Sequence, residues 1–323
     1  MHGIASPVAT DEEMVIPRVL VTGASGFIGT HALPVLRDSA VRLRLLTRRP
    51  VEAPPDVEVH VVQELDERSI EPAFADVQVV CHLAGRAHVV DRRQQHQSDY
   101  DAVNVDTSVR LAGAAFRRGV TRMVFVSSIG AVASASRPGE PLDEAAPCQP
   151  TTPYGRSKLK AERALRVEAD RHGAQLVVIR PPLVHGPGAP GNLSILRRLV
   201  EAGAPLPLGG VDNLRSLIHV RNLARILAAA AMVPEAAGHI FHVRDAQDYS
   251  TPQIVAAAAK SAGRSGRTFT APLQVLRAAA TLSGRRGAFD QLTGWLQVDD
   301  RRARKVLGVV PLPLPLEIGT QGQ

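Results

Sequence analysis

The sequence is poor in aromatic residues, 3% of 323, and holds only two cysteines. Two thiols, Cys81 and Cys148, cannot build a disulfide framework, so a packed core must carry the fold, and a reducing compartment fits. Cys81 ends the apolar run Val77-Gln78-Val79-Val80-Cys81 and reads as a buried core thiol. Long apolar runs are missing too. The longest, Ile226 to Val233, is far short of the roughly 18 residues that a bilayer-spanning helix needs. The first sixteen residues carry Asp11, Glu12 and Glu13 and no apolar centre, so they read as a flexible tail and not as a signal peptide. These absences predict a cytoplasmic protein without membrane insertion.

What is present is a globular composition, 45% hydrophobic and 21% charged. The length suits one large domain or two joined ones. The net charge is +7 and the pI is near 10.1, which favours anionic partners. The basic residues come in short scattered pairs, such as Arg48-Arg49 and Arg92-Arg93, without interleaved aromatics. Nucleic acid is therefore not the expected partner.

Short β-branched runs recur at Val19-Leu20-Val21, Leu43 to Leu46, Val57 to Val62, Val77 to Cys81, Met123 to Val126 and Leu176 to Ile179. Most read as strands buried on both faces. Helical spacing separates them, clearest over Asn104 to Arg118 before Gly119 and over Tyr154 to Arg171 before Gly173. This alternation predicts an α/β fold with a Rossmann-type doubly wound parallel sheet. From Gly186 glycine and proline become frequent, and a smaller, partly interleaved C-terminal region begins. The expected division is a dinucleotide-binding domain over 17–185 that also receives parts of 214–245, and a substrate-binding region formed by 186–213 and 246–323. Ser216 to Met232, as strand then helix, and Ile240 to Val243, as a strand, are the parts expected to rejoin the first sheet. Pro311 to Pro315 reads as extended chain.

In such folds ligands lie at the strand carboxyl ends. After the first strand, Thr22-Gly23-Ala24-Ser25-Gly26-Phe27-Ile28-Gly29 spaces three glycines as a dinucleotide-binding turn does. One permits the turn, one lets backbone amides approach a pyrophosphate, and one lets the helix pack on the strand. Pro34, two turns into that helix, is expected to kink or shorten it. The second strand ends in Thr47-Arg48-Arg49, with no acid for a ribose 2′-hydroxyl and two arginines able to pair with a 2′-phosphate. NADP is therefore favoured over NAD.

Tyr154 and Lys158 stand four residues apart, on one face at the start of a helix. A phenol is a poor base at neutral pH, but a nearby ammonium favours its phenolate, which can exchange a proton with a hydroxyl. Ser127 and Ser128 follow the fifth strand, where a hydroxyl would orient the reacting oxygen. His82, His185 and His219 show no metal-ligand spacing, so no metal site is expected.

Together the glycine turn, His82-Leu83-Ala84-Gly85, Val126-Ser127-Ser128, Tyr154-x-x-x-Lys158 and Arg180-Pro181-Pro182-x-x-His185-Gly186-Pro187 resemble the extended short-chain dehydrogenase/reductase family. More narrowly, the chain is similar to its UDP-glucose 4-epimerase-like branch, from Arg18 onward. The resemblance implies that Ser128, Tyr154 and Lys158 are catalytic. It implies cofactor contacts at Gly23, Ser25, Gly26, Phe27, Ile28, Arg48, Arg49, Glu64, Leu65, Leu83, Ala84, Gly85, Asn104 and Pro181, besides Tyr154 and Lys158. It places substrate at Arg86, Ser128, Asn192, Leu193 and Arg215, the last against a pyrophosphate. It further implies a nucleotide-sugar substrate, with UDP as the nucleotide, and a homodimer formed through the helices at Asn104 to Arg118 and Tyr154 to Arg171.

Two departures bear on the sugar pocket: His185 replaces a common tyrosine, and Leu307 to Pro311 lacks a tryptophan often found there. Dehydratases of the family carry an Asp-Glu pair after the catalytic serine or threonine, whereas Ile129-Gly130 stand here, which argues against 4,6-dehydration. An NAD(P)-dependent 4-epimerase is the leading expectation and an NADPH-dependent 4-ketoreductase or dehydrogenase the alternative. A non-catalytic dinucleotide sensor on the same fold is the third reading, against which the retained triad argues.

Overall fold

The computed structural model describes residues 16–39, 41–87, 96–284 and 286–318. Apart from Ile16, the expected N-terminal tail lies outside the described residues, as do Arg92 and Arg93.

In chain order the first half runs β1 (Arg18–Thr22), α1 (Phe27–Arg37), β2 (Arg42–Thr47), β3 (Glu58–Val61), α2 (Glu67–Ile70), β4 (Val79–His82), α3 (Gln97–Asp101), α4 (Thr107–Arg117), β5 (Arg122–Val126), α5 (Pro153–His172) and β6 (Gln175–Arg180). The second half adds β7 (Leu183–His185), α6 (Asn192–Glu201), β8 (Arg215–His219), α7 (Val220–Met232), β9 (Ile240–His242), β10 (Asp248–Tyr249), α8 (Thr251–Ser261), α9 (Leu273–Leu282), α10 (Arg286–Thr293) and α11 (Arg301–Leu307).

Seven parallel strands form one sheet in the order β3-β2-β1-β4-β5-β6-β9. Its central strands are buried along almost their whole length, as a sheet covered on both faces requires. One face packs Leu43, Leu45, Val124 and Ile179 against α1, α7 and α11; the other packs Leu20, Val80, Met123 and Phe125 against α4 and α5. The strand order reverses between β1 and β4, so a crevice opens at their carboxyl ends. A second sheet, β10-β8-β7, shares a separate core with α6 and α8, in which Leu217 of β8 meets Leu193, Leu196 and Ile254. No helix among the described residues is long and apolar enough to cross a membrane.

The expectation that both later elements rejoin the first sheet holds for β9 and for α7, but not for the strand of residues 215–219. β8 pairs with β7 and β10 in the second sheet, Leu217 opposite Leu183 and Ser216 opposite Asp248. A buried apolar run reveals that a strand is covered on both faces; it does not name the neighbour. Pro34 does not shorten α1, which continues to Arg37. Pro34 and Thr30 are both exposed, so the Thr30 carbonyl that loses its helical partner faces water.

The helix expected from Asn104 begins earlier, at Gln97, and passes through a π-helical segment at Ala102–Asp106 before continuing as α4. Such a segment holds an extra residue in the turn and redirects side chains. Here it carries Asn104, whose side chain is 1% exposed.

Candidate active site

The crevice is lined first by the glycine turn. Gly23 has φ +73°, and a Cβ there would stand 2.6 Å from the Ala84 nitrogen; at Gly29 it would meet the Ala24 carbonyl oxygen at 2.6 Å. Both positions need glycine, the first for the turn against β4 and the second for packing α1 onto the loop. Gly26 caps α1 without any side-chain hydrogen bond, leaving first-turn amides available to an anion. Thr47, at the end of β2, has a buried hydroxyl with no hydrogen-bond partner, while Arg48 and Arg49 are exposed just beyond it. The turn, the open helix end and the orphaned hydroxyl fit a dinucleotide. Glu64 is exposed after β3, and Leu65 beside it is partly buried and accepts a hydrogen bond from Arg110 through its carbonyl.

Behind the turn a chain of hydrogen bonds crosses the sheet. The Thr22 hydroxyl lies 2.7 Å from His82 Nδ1, His82 Nε2 lies 2.8 Å from Ser108 Oγ, and Ser108 Oγ donates to the Asn104 carbonyl. Because Ser108 donates to Asn104, its oxygen must accept from Nε2–H, which leaves Nδ1 as acceptor for Thr22. His82 is therefore neutral, and burial together with the Lys158 charge pushes its pKa down to about 3. Asn104 then fixes the loop after β4: its Oδ1 accepts from the Arg86 amide at 2.7 Å, and its Nδ2 donates to the Arg86 carbonyl and to Ser157 Oγ.

The tyrosine and lysine arrive on α5. Thr152 caps this helix by accepting from the Gly155 amide at 3.0 Å, with Pro153 in the first turn. Gly155 packs directly against the Gly130 carbonyl. This contact brings the turn after β5 onto the first turn of α5 and sets Ser128 against Tyr154. Ser128 Oγ accepts from the Gly130 amide at 3.0 Å and faces the Tyr154 phenol across the crevice. Burial raises the Tyr154 pKa to about 12, with the Ser128 hydroxyl opposing it. Burial lowers Lys158 to about 8, with Glu162 opposing that shift. The Lys158 ammonium donates to the Val126 carbonyl at 2.8 Å and lies over the Phe125 ring, 4.7 Å from its centre. Gly85 faces it closely: a Cβ there would stand 3.1 Å from Lys158 Nζ and 3.2 Å from Asn104 Oδ1.

Deeper still, Glu162, one turn after Lys158, accepts from Ser127 Oγ and from Arg180. Arg180 also reaches His242 and the Cys148 sulfur, and burial pushes His242 down to about 4. Ser127 is buried with its hydroxyl committed to Glu162, whereas Ser128 is half-buried, and both line the crevice.

Two adjoining cavities occupy the space between the sheets. The larger, about 270 Å³, is lined by Phe27, Ile28, Leu83, Gly85, Ser128, Tyr154, Lys158, Pro181 and Arg215 among the residues expected from sequence, and by Thr152, Leu183, Pro190, Gln291 and Leu296 among others. The smaller, about 110 Å³, is lined by Asn192, Leu193, Arg215, Thr251 and Gln291. Leu183, Arg215 and Gln291 belong to both walls. Arg215 is 8% exposed and donates to the Gly294 carbonyl at 2.7 Å. Among the described residues no carboxylate pairs with it, and burial lowers its pKa to about 10. A buried cation without an anion, open to two cavities, is matched to an anionic ligand.

Asn192 opens α6 and donates to Gln291, while Leu193 is core. His185 and His219 are also core. His185 pairs with Asp245 at 2.8 Å, and His219 reaches Glu317 at 3.2 Å. Among the described residues no cluster could hold a metal ion. Thr47 and Arg180 fall in the sequence motifs but without these roles, and Glu162 and Gln291 were not anticipated at all. Only Glu162 left a signal, four residues beyond Lys158 on the same helical face.

Residues 19–243 match the sequence model of the NAD dependent epimerase/dehydratase family. A UDP-glucose 4-epimerase of Vibrio cholerae is 32% identical over 313 residues, covering 96% of this chain and 95% of that protein. A UDP-glucose 4-epimerase of Azospirillum brasilense is 33% identical over 240 residues, 67% of this chain and 68% of that protein. Among solved structures, MoeE5 in complex with UDP-glucose and NAD is 27% identical, with TM-score 0.71 over 92% of this chain and 94% of the other. The UDP-glucose 4-epimerase of Thermus thermophilus, in complex with NAD, is 25% identical, with TM-score 0.66 over 86% of this chain and 99% of the other.

Proposed function

Because the chain belongs to the NAD dependent epimerase/dehydratase family, we propose that it is a nucleotide-sugar 4-epimerase acting on a UDP-linked sugar. The observation that carries this reading is the shared cavity in which the Ser128–Tyr154–Lys158 group and the unpaired Arg215 face the same space. One end handles a proton at a hydroxyl, and the other holds a diphosphate.

The nicotinamide dinucleotide would lie along the turn Gly23, Ser25, Gly26, Phe27 and Ile28. Glu64 and Leu65 would stand on the adenine side, with Leu83, Ala84, Gly85, Asn104 and Pro181 on the nicotinamide side. When bound, it supplies hydride exchange at the sugar carbon. Tyr154 Oη takes the C4 hydroxyl proton as that carbon is oxidised and returns it to the same oxygen when hydride has been delivered to the opposite face of C4, while Ser128 Oγ orients the sugar oxygen. In the ligand-free protein the phenol near 12 and the ammonium near 8 are both set by burial. Lys158, one helical turn after Tyr154 on the same face, would be the cation that lowers the phenol's pKa once ligands are bound. Arg215 takes the pyrophosphate bidentately, with Asn192, Leu193 and Arg86 completing the substrate side.

A second reading, an NADPH-dependent 4-ketoreductase, is supported by Arg48 and Arg49. They are exposed past the orphaned Thr47 hydroxyl, with no acid at the end of β2 to hold a 2′-hydroxyl. Assembly as a homodimer through α4 and α5 is proposed with either reading; Val167 on α5 is 59% exposed.

Tyr154→Phe tests the reaction. Turnover of UDP-glucose to UDP-galactose should fall by about a thousandfold, in line with loss of a general acid–base group, while NAD(H) and NADP(H) binding followed by fluorescence persists. Retained turnover would remove the mechanism. Nucleotide released from the purified, denatured protein then separates the two readings. Near-stoichiometric cofactor fits an epimerase that keeps it through the cycle, and an empty site fits a reductase that exchanges it.

A further inference from the structure

Basic pairs are scattered along the sequence, but the uncompensated charge is not. Residues 250–289 contain Lys260, Arg264, Arg267, Arg277, Arg285 and Arg286 and no aspartate or glutamate, so this stretch contributes +6 to a chain whose net charge is +7. Among the described residues no carboxylate pairs with Lys260, Arg264, Arg267 or Arg277, and Arg286 has only the exposed Asp290 at 3.5 Å.

Within this stretch lies α9, in which no residue is buried. Val275, Ala278, Ala279 and Leu282 recur at i, i+3, i+4 and i+7 and form one apolar stripe. Val275 is 62% exposed and Leu282 90%, the latter the most open large apolar side chain among the described residues. Gln274, Arg277 and Thr281 form the polar side. A surface helix ordinarily turns its apolar stripe inward. This one turns Leu276 and Ala280 inward, partly buried, and presents the Val275–Leu282 stripe outward within a stretch whose only cation with a carboxylate partner, among the described residues, is Arg286, the pattern of helices that lie in the plane of a membrane interface. A second copy of the chain would set like charges against each other across such a face. An anionic surface satisfies them.

We propose that α9 and its basic flanks dock the protein peripherally on an anionic lipid bilayer. The Val275 and Leu282 side chains enter the headgroup–acyl boundary, and Arg264, Arg267, Arg277 and Arg286 meet lipid phosphates. The helix packs on α10, whose Gln291 lines both cavities, so docking holds the wall of the substrate cavity next to the membrane. The inference rests on this surface and stands or falls separately from the reaction.

The test is co-sedimentation of the full chain with phosphatidylcholine vesicles and with equimolar phosphatidylcholine/phosphatidylglycerol vesicles. At low salt the anionic vesicles should carry down at least about tenfold more protein, and raised salt should weaken this. The Val275→Glu/Leu282→Glu double variant should lose the binding about tenfold, with thermal unfolding and cofactor binding unchanged, since both positions are exposed. Equal partition to both vesicle types, no sedimentation at all, or binding indifferent to the double variant would overturn the proposal. So would light scattering in which that variant turns a dimer into a monomer, because the face would then belong to a second copy.

Discussion

Arg180 grips Glu162 through two parallel hydrogen bonds, Nε to Oε1 at 3.0 Å and Nη2 to Oε2 at 2.6 Å, with the two side chains 3% and 6% exposed. The pair joins the middle of α5, one turn after Lys158, to the end of β6, and the same carboxylate takes the hydroxyl of Ser127. Breaking one partner of such a pair leaves the other charge buried and alone. Glu162→Gln should therefore cost about 3–5 kcal/mol of unfolding free energy in urea titration. The double variant Glu162→Gln/Arg180→Met should recover much of it. If the single variant were as stable as the parent, the pair would not be holding α5 to the sheet.

Lys158 gives a pH prediction with a definite sign. Its folded pKa, about 8, lies below its ordinary value of 10.5 because burial disfavours the charge. Below pH 8 both the folded and unfolded states carry the proton, and the full cost of the buried charge is present. As pH rises from 8 to 10.5 the folded protein has already released the proton, so the cost shrinks and then vanishes. Lys158→Met should accordingly stabilise the cofactor-free protein by a few kcal/mol at pH 7, with a smaller gain at about pH 9.5, while removing activity. Denaturant titrations at the two pH values measure the difference; a gain that grew with pH would contradict the assigned direction.

Arg215 forms no ion pair among the described residues, so its loss should spare the fold and affect the ligand. Arg215→Met is expected to raise the KM for a UDP-sugar by about ten- to a hundredfold, the scale of a lost charge-assisted bidentate contact. Cofactor affinity and melting temperature should stay near the parent values, and Arg215→Lys should restore only part of the loss. Calorimetry with UDP alone reads the same effect without turnover. An unchanged UDP affinity would move the diphosphate elsewhere.

Gly85 offers a steric test. A methyl group there would press on Lys158 Nζ at 3.1 Å and on Asn104 Oδ1 at 3.2 Å. Gly85→Ala should displace the ammonium from its seat on the Val126 carbonyl and lower kcat by about tenfold or more, as misplacement of a catalytic group does. The fold survives, because Gly85 lies in a loop at the cavity wall. The pH–rate profile should shift upward as Lys158 loses influence over Tyr154.

The parts of this site legible in the sequence were those written locally. Gly23, Gly26 and Gly29 lie within one turn, and Tyr154 and Lys158 on one helical face, so their spacing alone carries their geometry. The strands of the parallel sheet were legible because burial on both faces leaves unbroken apolar runs. Its membership was not, since β8 and β9 carry similar runs yet belong to different sheets. Arg180 and Gln291 were hidden for another reason: Arg180 meets Glu162 only when β6 pairs beside β5, and Gln291 reaches the cavity from a helix about a hundred residues after β6. The π-helical segment at Asn104 left no trace, because an extra residue in a turn alters no composition.

The segment after α11 binds back onto the second sheet. The Glu317 carbonyl accepts from the Gly186 amide, Gly186 bridges to Ile318, and the Leu312 backbone exchanges hydrogen bonds with the Asn222 side chain. Gly186 begins the loop that leads to Asn192, so the second-sheet side of the crevice is braced by residues synthesised more than a hundred positions later. The glycine turn, the cap of α5 and the first six strands can assemble as the chain leaves the ribosome. The covering of the first sheet by α7 and α11 and the bracing of the second both wait for late, long-range contacts, so the crevice between them closes only once residues beyond Arg301 have been made.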